Sequence, residues 1–135
     1  MASNRKVGND FESDLCEIFA EHGFWVHNFA QKIAGQPADV IAVRNRKAYL
    51  IDCKVCSSDF FSFSRLEDNQ ILSMDLWKNS GNGTGWFAVK FDDRIYMMPS
   101  VLMKAEAFQG GKSRRKENWF QAFGTPLDQW MEERA

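Results

Sequence analysis

The stretch Lys47-Ala48-Tyr49-Leu50-Ile51-Asp52-Cys53-Lys54-Val55 decides how this chain is read. Its β-branched and aromatic content predicts a strand over residues 47–55. Side chains alternate faces along a strand, so Leu50, Asp52 and Lys54 share one face while Tyr49, Ile51, Cys53 and Val55 share the other. Asp52 and Lys54 then lie about 6 to 7 Å apart, close enough to act on one substrate group.

Immediately upstream, Asn45-Arg46 predicts a tight connection, although it lacks the glycine of the strongest hairpin signal. Before it, residues 38–43 read as another strand, with Asp39 at its start. If the two strands pair about that turn, Ala38 or Asp39 lies near Asp52. Two carboxylates brought together are expensive unless something positive sits between them. A hard divalent cation such as Mg2+ meets that need with oxygen ligands. It would lower the pKa of a bound water and polarise a phosphodiester. Lys54 would orient or deprotonate the attacking water, or balance charge on the phosphorane. The Cys53 backbone carbonyl offers a further ligand, while its thiol faces away. In a plainer reading Asp52 and Lys54 are an ordinary exposed pair on a half-buried strand, and Asp39 is a turn residue after Pro37. Context favours chemistry: the acids border the apolar runs Val40-Ile41-Ala42 and Leu50-Ile51, where charge needs a reason.

Further out, Phe11, Leu15, Ile18 and Phe19 mark one face of a first helix, with Asn9 as its cap, Glu12 completing a capping box and Gly23 at its end. Glu12 is equally a candidate third acidic ligand. A strand over residues 24–29 and a turn over residues 31–37 follow. Residues 57–64 mix serines with Phe60, Phe61 and Phe63 and show no regular period. The phenylalanines suit a DNA-facing rim, a dimer contact or core. Residues 66–77 read as a helix with Gln70 on its apolar side, where an amide needs a partner. A glycine-rich loop spans residues 79–85, strands span 86–91 and 94–98, and a short helix runs from Pro99-Ser100 through Ala107. Gly110-Gly111 opens a basic loop, and residues 127–133 form a final helix after Pro126. This order predicts an α/β fold in which helices flank a mixed central sheet. With 135 residues, one domain is expected, with residues 1–7 as a flexible arm and 110–117 as the basic loop.

The chain is 44% hydrophobic and 26% charged, which argues against disorder, and no apolar run is long enough to span a membrane. A cytosolic place is expected. A net charge of -1 does not suit a uniformly basic DNA binder, yet Lys112, Arg114, Arg115 and Lys116 cluster, as do Arg5 and Lys6. Three cysteines and two histidines make structural zinc a weak reading of Cys53-x-x-Cys56.

Taken together, Asn4-Arg5, Gly8, Phe11-Glu12, Gly35-Gln36-Pro37-Ala38-Asp39, Asp52-Cys53-Lys54, Ser64-Arg65-Leu66-Glu67, Asn69-Gln70 and Gly85-Trp86-Phe87 resemble the PD-(D/E)xK nucleases. Within them the chain is most similar to the RecU type of Holliday-junction resolvase and its phage relatives. The resemblance implies a restriction-endonuclease-like fold and a homodimer with two active sites in the cytoplasm of a bacterial or phage-infected cell. It implies cleavage of branched DNA dependent on Mg2+, with Mn2+ as a substitute. It further implies that Glu12, Asp39 and Asp52 form the acidic set around the metal, that Lys54 is the catalytic lysine and that Gln70 is the helix glutamine of the group. Arg5 and Arg65 are similar to basic residues near DNA. Lys6 and the stretch from Lys112 through Arg114 and Arg115 to Lys116 would hold phosphates. Asp52 stands where many members have glutamate, and the segment before Asp39 is shorter than the RecU stalk. Rival readings are a related nuclease with another DNA substrate, a non-catalytic DNA-binding module of this fold, and a small thiol or zinc protein.

Overall fold

In the computed structural model, residues 4–29, 38–109 and 113–135 are described, with side chains from Asp10 onward. Helix α1 (Asn4–Glu21) starts earlier than expected, so residues 4–7 are helical where an arm was predicted. Asn9 lies inside the helix and cannot be its cap, and the expected capping box with Glu12 does not exist. Phe11, Leu15 and Phe19 are buried, as their spacing required.

Strands β1 (Trp25–Asn28), β2 (Val40–Arg44) and β3 (Lys47–Cys56) form an antiparallel meander, with Val40 opposite Ile51 and Arg44 opposite Lys47. The turn expected over residues 31–37 lies outside the described residues. Asn45 and Arg46 have φ of 53° and 68°, so the β2–β3 connection has the left-handed backbone of a type I′ turn without its usual glycine. The irregular stretch after β3 contains β4 (Phe61–Ser62) and a 3-10 turn at Phe63–Arg65. Helix α2 (Asp68–Trp77) begins two residues later than the apolar spacing suggested, because Glu67 is its N-cap. Strands β5 (Trp86–Phe91) and β6 (Arg94–Pro99) and helix α3 (Ser100–Ala107) match the expected elements. The basic loop is partly a strand, β7 (Arg114–Arg115), paired with β4. Helix α4 (Glu117–Phe123) and strand β8 (Thr125–Pro126) were not foreseen, and α5 (Leu127–Glu132) closes the chain.

The main sheet has the order β1-β2-β3-β5-β6-β8, and among its pairings only β3 with β5 is parallel. This is the expected mixed sheet flanked by helices, and it separates two apolar clusters. One packs α1 and α5 on the sheet, with Trp130 among Phe19, Phe24, Tyr49 and Trp86. The other packs α2, α3 and α4 on the opposite face and contains Phe61, Phe63, Met74 and Phe120. Gly85 allows α2 to approach, since a Cβ there would lie 2.0 Å from Met74 Sδ. No described helix is long and apolar enough to cross a membrane.

Candidate active site

The site lies where β3 outruns β2. The Asp39 N–H donates to the Ile51 carbonyl at 3.1 Å, continuing the register by one residue and setting Asp39 opposite Asp52. Beyond that point β3 is paired only with β5 among the described residues. The freed edge is used by a side chain: Cys53 N–H donates to Asp39 Oδ2 at 2.8 Å. The N–H and C=O of one strand residue leave the same edge, so the Cys53 carbonyl also projects toward the Asp39 side.

Asp52 is 1% exposed. Its Oδ1 accepts from Gln70 Nε2 at 3.3 Å, and its Oδ2 faces Lys54 Nζ at 3.3 Å in an ion pair without a directed hydrogen bond. Burial pushes the Asp52 carboxyl well above the usual range; Lys54 opposes the shift and neighbouring Asp39 adds to it. The fold thus brings Asp39, Asp52, Lys54 and Gln70 together at one place. A buried carboxylate, a second carboxylate beside it and a nearby main-chain carbonyl form an oxygen set suited to a hard cation.

Glu12 is placed differently. It is 6% exposed on α1; burial raises the Cys16 and Cys53 thiols, and the Glu12 charge adds to both shifts, after Asp39 and Asp52 in the case of Cys53, so Glu12 approaches β3 from the α1 side. Among the described residues no group of three or more His, Cys, Asp and Glu side chains is arranged to hold a metal ion. The Cys53 thiol points into the α1 cluster, as alternation predicted. Cys56 belongs to the opposite cluster, and its Sγ donates to the Ser58 and Phe60 carbonyls. Three residues of strand thus put the two thiols on opposite faces, which removes the zinc or thiol reading of that pair.

The basic candidates divide. Arg65 donates from Nη1 to the Val55 carbonyl at 2.8 Å, which fastens the segment after β4 to β3. Arg115 is held by buried Glu106 at 3.1 Å, lowering the Glu106 pKa together with Ser113. Arg114 and Lys116 are exposed. The side chains of Arg5 and Lys6, and all of Lys112, lie outside the described residues. Phe61 and Phe63 are core, whereas Phe60 is 45% exposed. Sequence reading missed Glu67 as the partner of Gln70, although their three-residue spacing is that of a capping box.

A family model described as archaeal Holliday junction resolvase (Hjc) matches residues 3–118. No curated protein matches the chain. Among solved structures, the Hjc of Archaeoglobus fulgidus, described as a Holliday junction resolvase from an archaeal hyperthermophile, is similar with a TM-score of 0.70. Its sequence identity is 16%, and the similarity covers 92% of this chain and 99% of that one, a likeness of fold.

Proposed function

This chain belongs to the archaeal Holliday junction resolvase family, within the PD-(D/E)xK nucleases, and we propose that it cuts four-way DNA junctions by paired, Mg2+-dependent phosphodiester hydrolysis. The earlier resemblance pointed to the RecU type; the family match is to the archaeal resolvases. The observation that carries the proposal is Asp52, a carboxylate 1% exposed between Asp39, Lys54 and Gln70. Burying such a charge without further compensation is unfavourable by several kcal/mol, on the order given for single buried ions.

Asp39, Asp52 and the Cys53 carbonyl would hold the cation, with Glu12 as an outer acidic group and Mn2+ as a substitute metal. When bound, the cation polarises the scissile phosphate and lowers the pKa of water. Lys54 Nζ would orient the attacking water and balance negative charge gathering on phosphorus. Gln70 fixes the Asp52 rotamer. Hydrolysis joins the water oxygen to phosphorus as the bond to the leaving sugar oxygen breaks, without a covalent enzyme intermediate.

Paired cuts require two sites related by symmetry, so the active species would be a homodimer. Its contact face would be the outer side of α2 and α3. Leu72 and Leu76 of α2 are 66% and 69% exposed, and Val101 of α3 and Phe108 just after it are 57% and 67% exposed. Lys104 links the two helices by its 2.7 Å ion pair with Asp75. Exposed apolar side chains on neighbouring helices favour this face as the contact. Light scattering should give a dimer mass that Leu76→Asp reduces to a monomer.

The deciding experiment is cleavage of a labelled four-way junction beside linear duplex of the same sequence, with and without Mg2+. Paired cuts confined to the junction are expected. Cutting of both substrates would leave a nuclease of broader substrate range, and tight binding without cutting would indicate a non-catalytic binding module.

A further inference from the structure

The ribbon formed by β4 and β7 has two unlike faces. Phe61 is opposite Arg115 and Ser62 opposite Arg114, so one more step of the register puts Phe60 opposite Lys116. On the inner face, Phe61 and Phe63 are buried and Arg115 is neutralised by Glu106. The outer face carries Phe60, Ser62, Arg114 and Lys116. Arg114 Cζ and Lys116 Nζ lie 5.8 Å and 5.3 Å from the Phe60 ring centroid, and among the described residues no ion pair neutralises either cation.

The exposed ring is held on a fixed backbone. The Phe60 carbonyl accepts from Ser58 Oγ at 2.8 Å and from Cys56 Sγ at 3.3 Å. Arg65, just after β4, is tied to the carbonyl of Val55, the residue after Lys54. The outer face is thereby coupled to the strand that carries the candidate active site.

Resting on the resolvase reading, we propose that Phe60, Arg114 and Lys116 form a platform that stacks an unpaired DNA base and holds the phosphates beside it. An aromatic face with flanking cations suits single-stranded DNA, because every base offers a π face whatever its identity. In a continuous duplex those faces are occupied by neighbouring bases, so a ring of this kind favours a splayed or unpaired nucleotide. At a branch point it selects shape and leaves sequence unread.

The test measures binding in chelator, where no cutting occurs, using a labelled oligothymidylate, a linear duplex and a four-way junction with 2-aminopurine at its branch. Phe60→Ala should weaken oligothymidylate and junction binding about tenfold and duplex binding far less. Phe60→Trp should restore affinity, and the 2-aminopurine signal should differ between wild type and Phe60→Ala. The double change Arg114→Ala with Lys116→Ala should reduce the salt dependence of junction binding by about two phosphate contacts. Unchanged junction affinity in Phe60→Ala would overturn the platform while leaving junction cleavage standing. Equal weakening for duplex and junction would also overturn it. Absence of any DNA binding by the wild type would remove the platform and the resolvase reading together.

Discussion

Gln70 donates from Nε2 to Asp52 Oδ1 at 3.3 Å while its Oε1 accepts the Glu67 N–H at 3.2 Å. One side chain therefore caps α2 and steadies the buried carboxylate. Gln70→Ala should lower stability by about 1 kcal/mol through loss of the cap, and should also slow cleavage. Gln70→Glu keeps the cap acceptor but sets a carboxylate against Asp52, so it should recover neither the full melting temperature nor the cleavage rate. Thermal melts and single-turnover cleavage check both, and normal cutting by Gln70→Glu would refute the amide's role.

Lys54 is the counter-charge to Asp52 across 3.3 Å. Lys54→Ala should reduce cleavage about a hundredfold or more while junction affinity in chelator stays within about twofold. A variant that cuts at the normal rate would remove Lys54 from the reaction.

Metal removal should expose the strain around Asp52. Its folded carboxyl titrates above its unfolded value, so metal-free stability falls as pH rises from the ordinary carboxylate range through the folded pKa. Asp52→Asn should remove that slope and melt higher than wild type in chelator near neutral pH. Adding Mg2+ should raise the wild-type melting temperature and leave Asp52→Asn nearly unmoved. Equal responses would argue against Asp52 as a ligand.

Glu117 accepts from Arg94 Nε at 2.5 Å and from Tyr96 Oη at 2.6 Å, and these donors lower its pKa from 4.5 to about 2. The depressed value means that its stabilising effect is full above the unfolded pKa and lost as pH falls through the folded one. Glu117→Gln should unfold at lower urea than wild type at neutral pH, with the gap closing between pH 4.5 and about 2. A gap independent of pH would assign the loss to packing.

Arg46 has φ of 68°, a conformation that is unfavourable for a side-chain-bearing residue. Arg46→Gly should stabilise the protein by about 0.5 to 1 kcal/mol, after the greater freedom of glycine in the unfolded chain is counted. Urea denaturation measures it. A loss of stability would mean that Arg46 makes contacts worth more than the strain.

Much of the site was legible because strand alternation and a hairpin register are local rules. Tyr49 to Val55 fixed the two faces, and the Asn45-Arg46 turn brought Asp39 to Asp52. The start of α1 was not, because its apolar period begins only at Phe11 and Asn9 with Glu12 imitates a capping box. The strands β4, β7 and β8 span two residues each and are specified by distant partners rather than by their own composition. The burial of Glu106 depends on Arg115, nine residues away across a turn, which no local pattern marks.

The parallel contact of β3 with β5 has a kinetic meaning. The β2–β3 hairpin can close early and form the Asp39–Cys53 bond by itself, since the loop is short. Gln70 comes from the crossover that must wrap over the sheet before β5 can dock, a slower, non-local event. The candidate site is thus completed only after its hairpin has formed, and a chain still emerging from synthesis carries its acidic pair without the helix that brings Gln70.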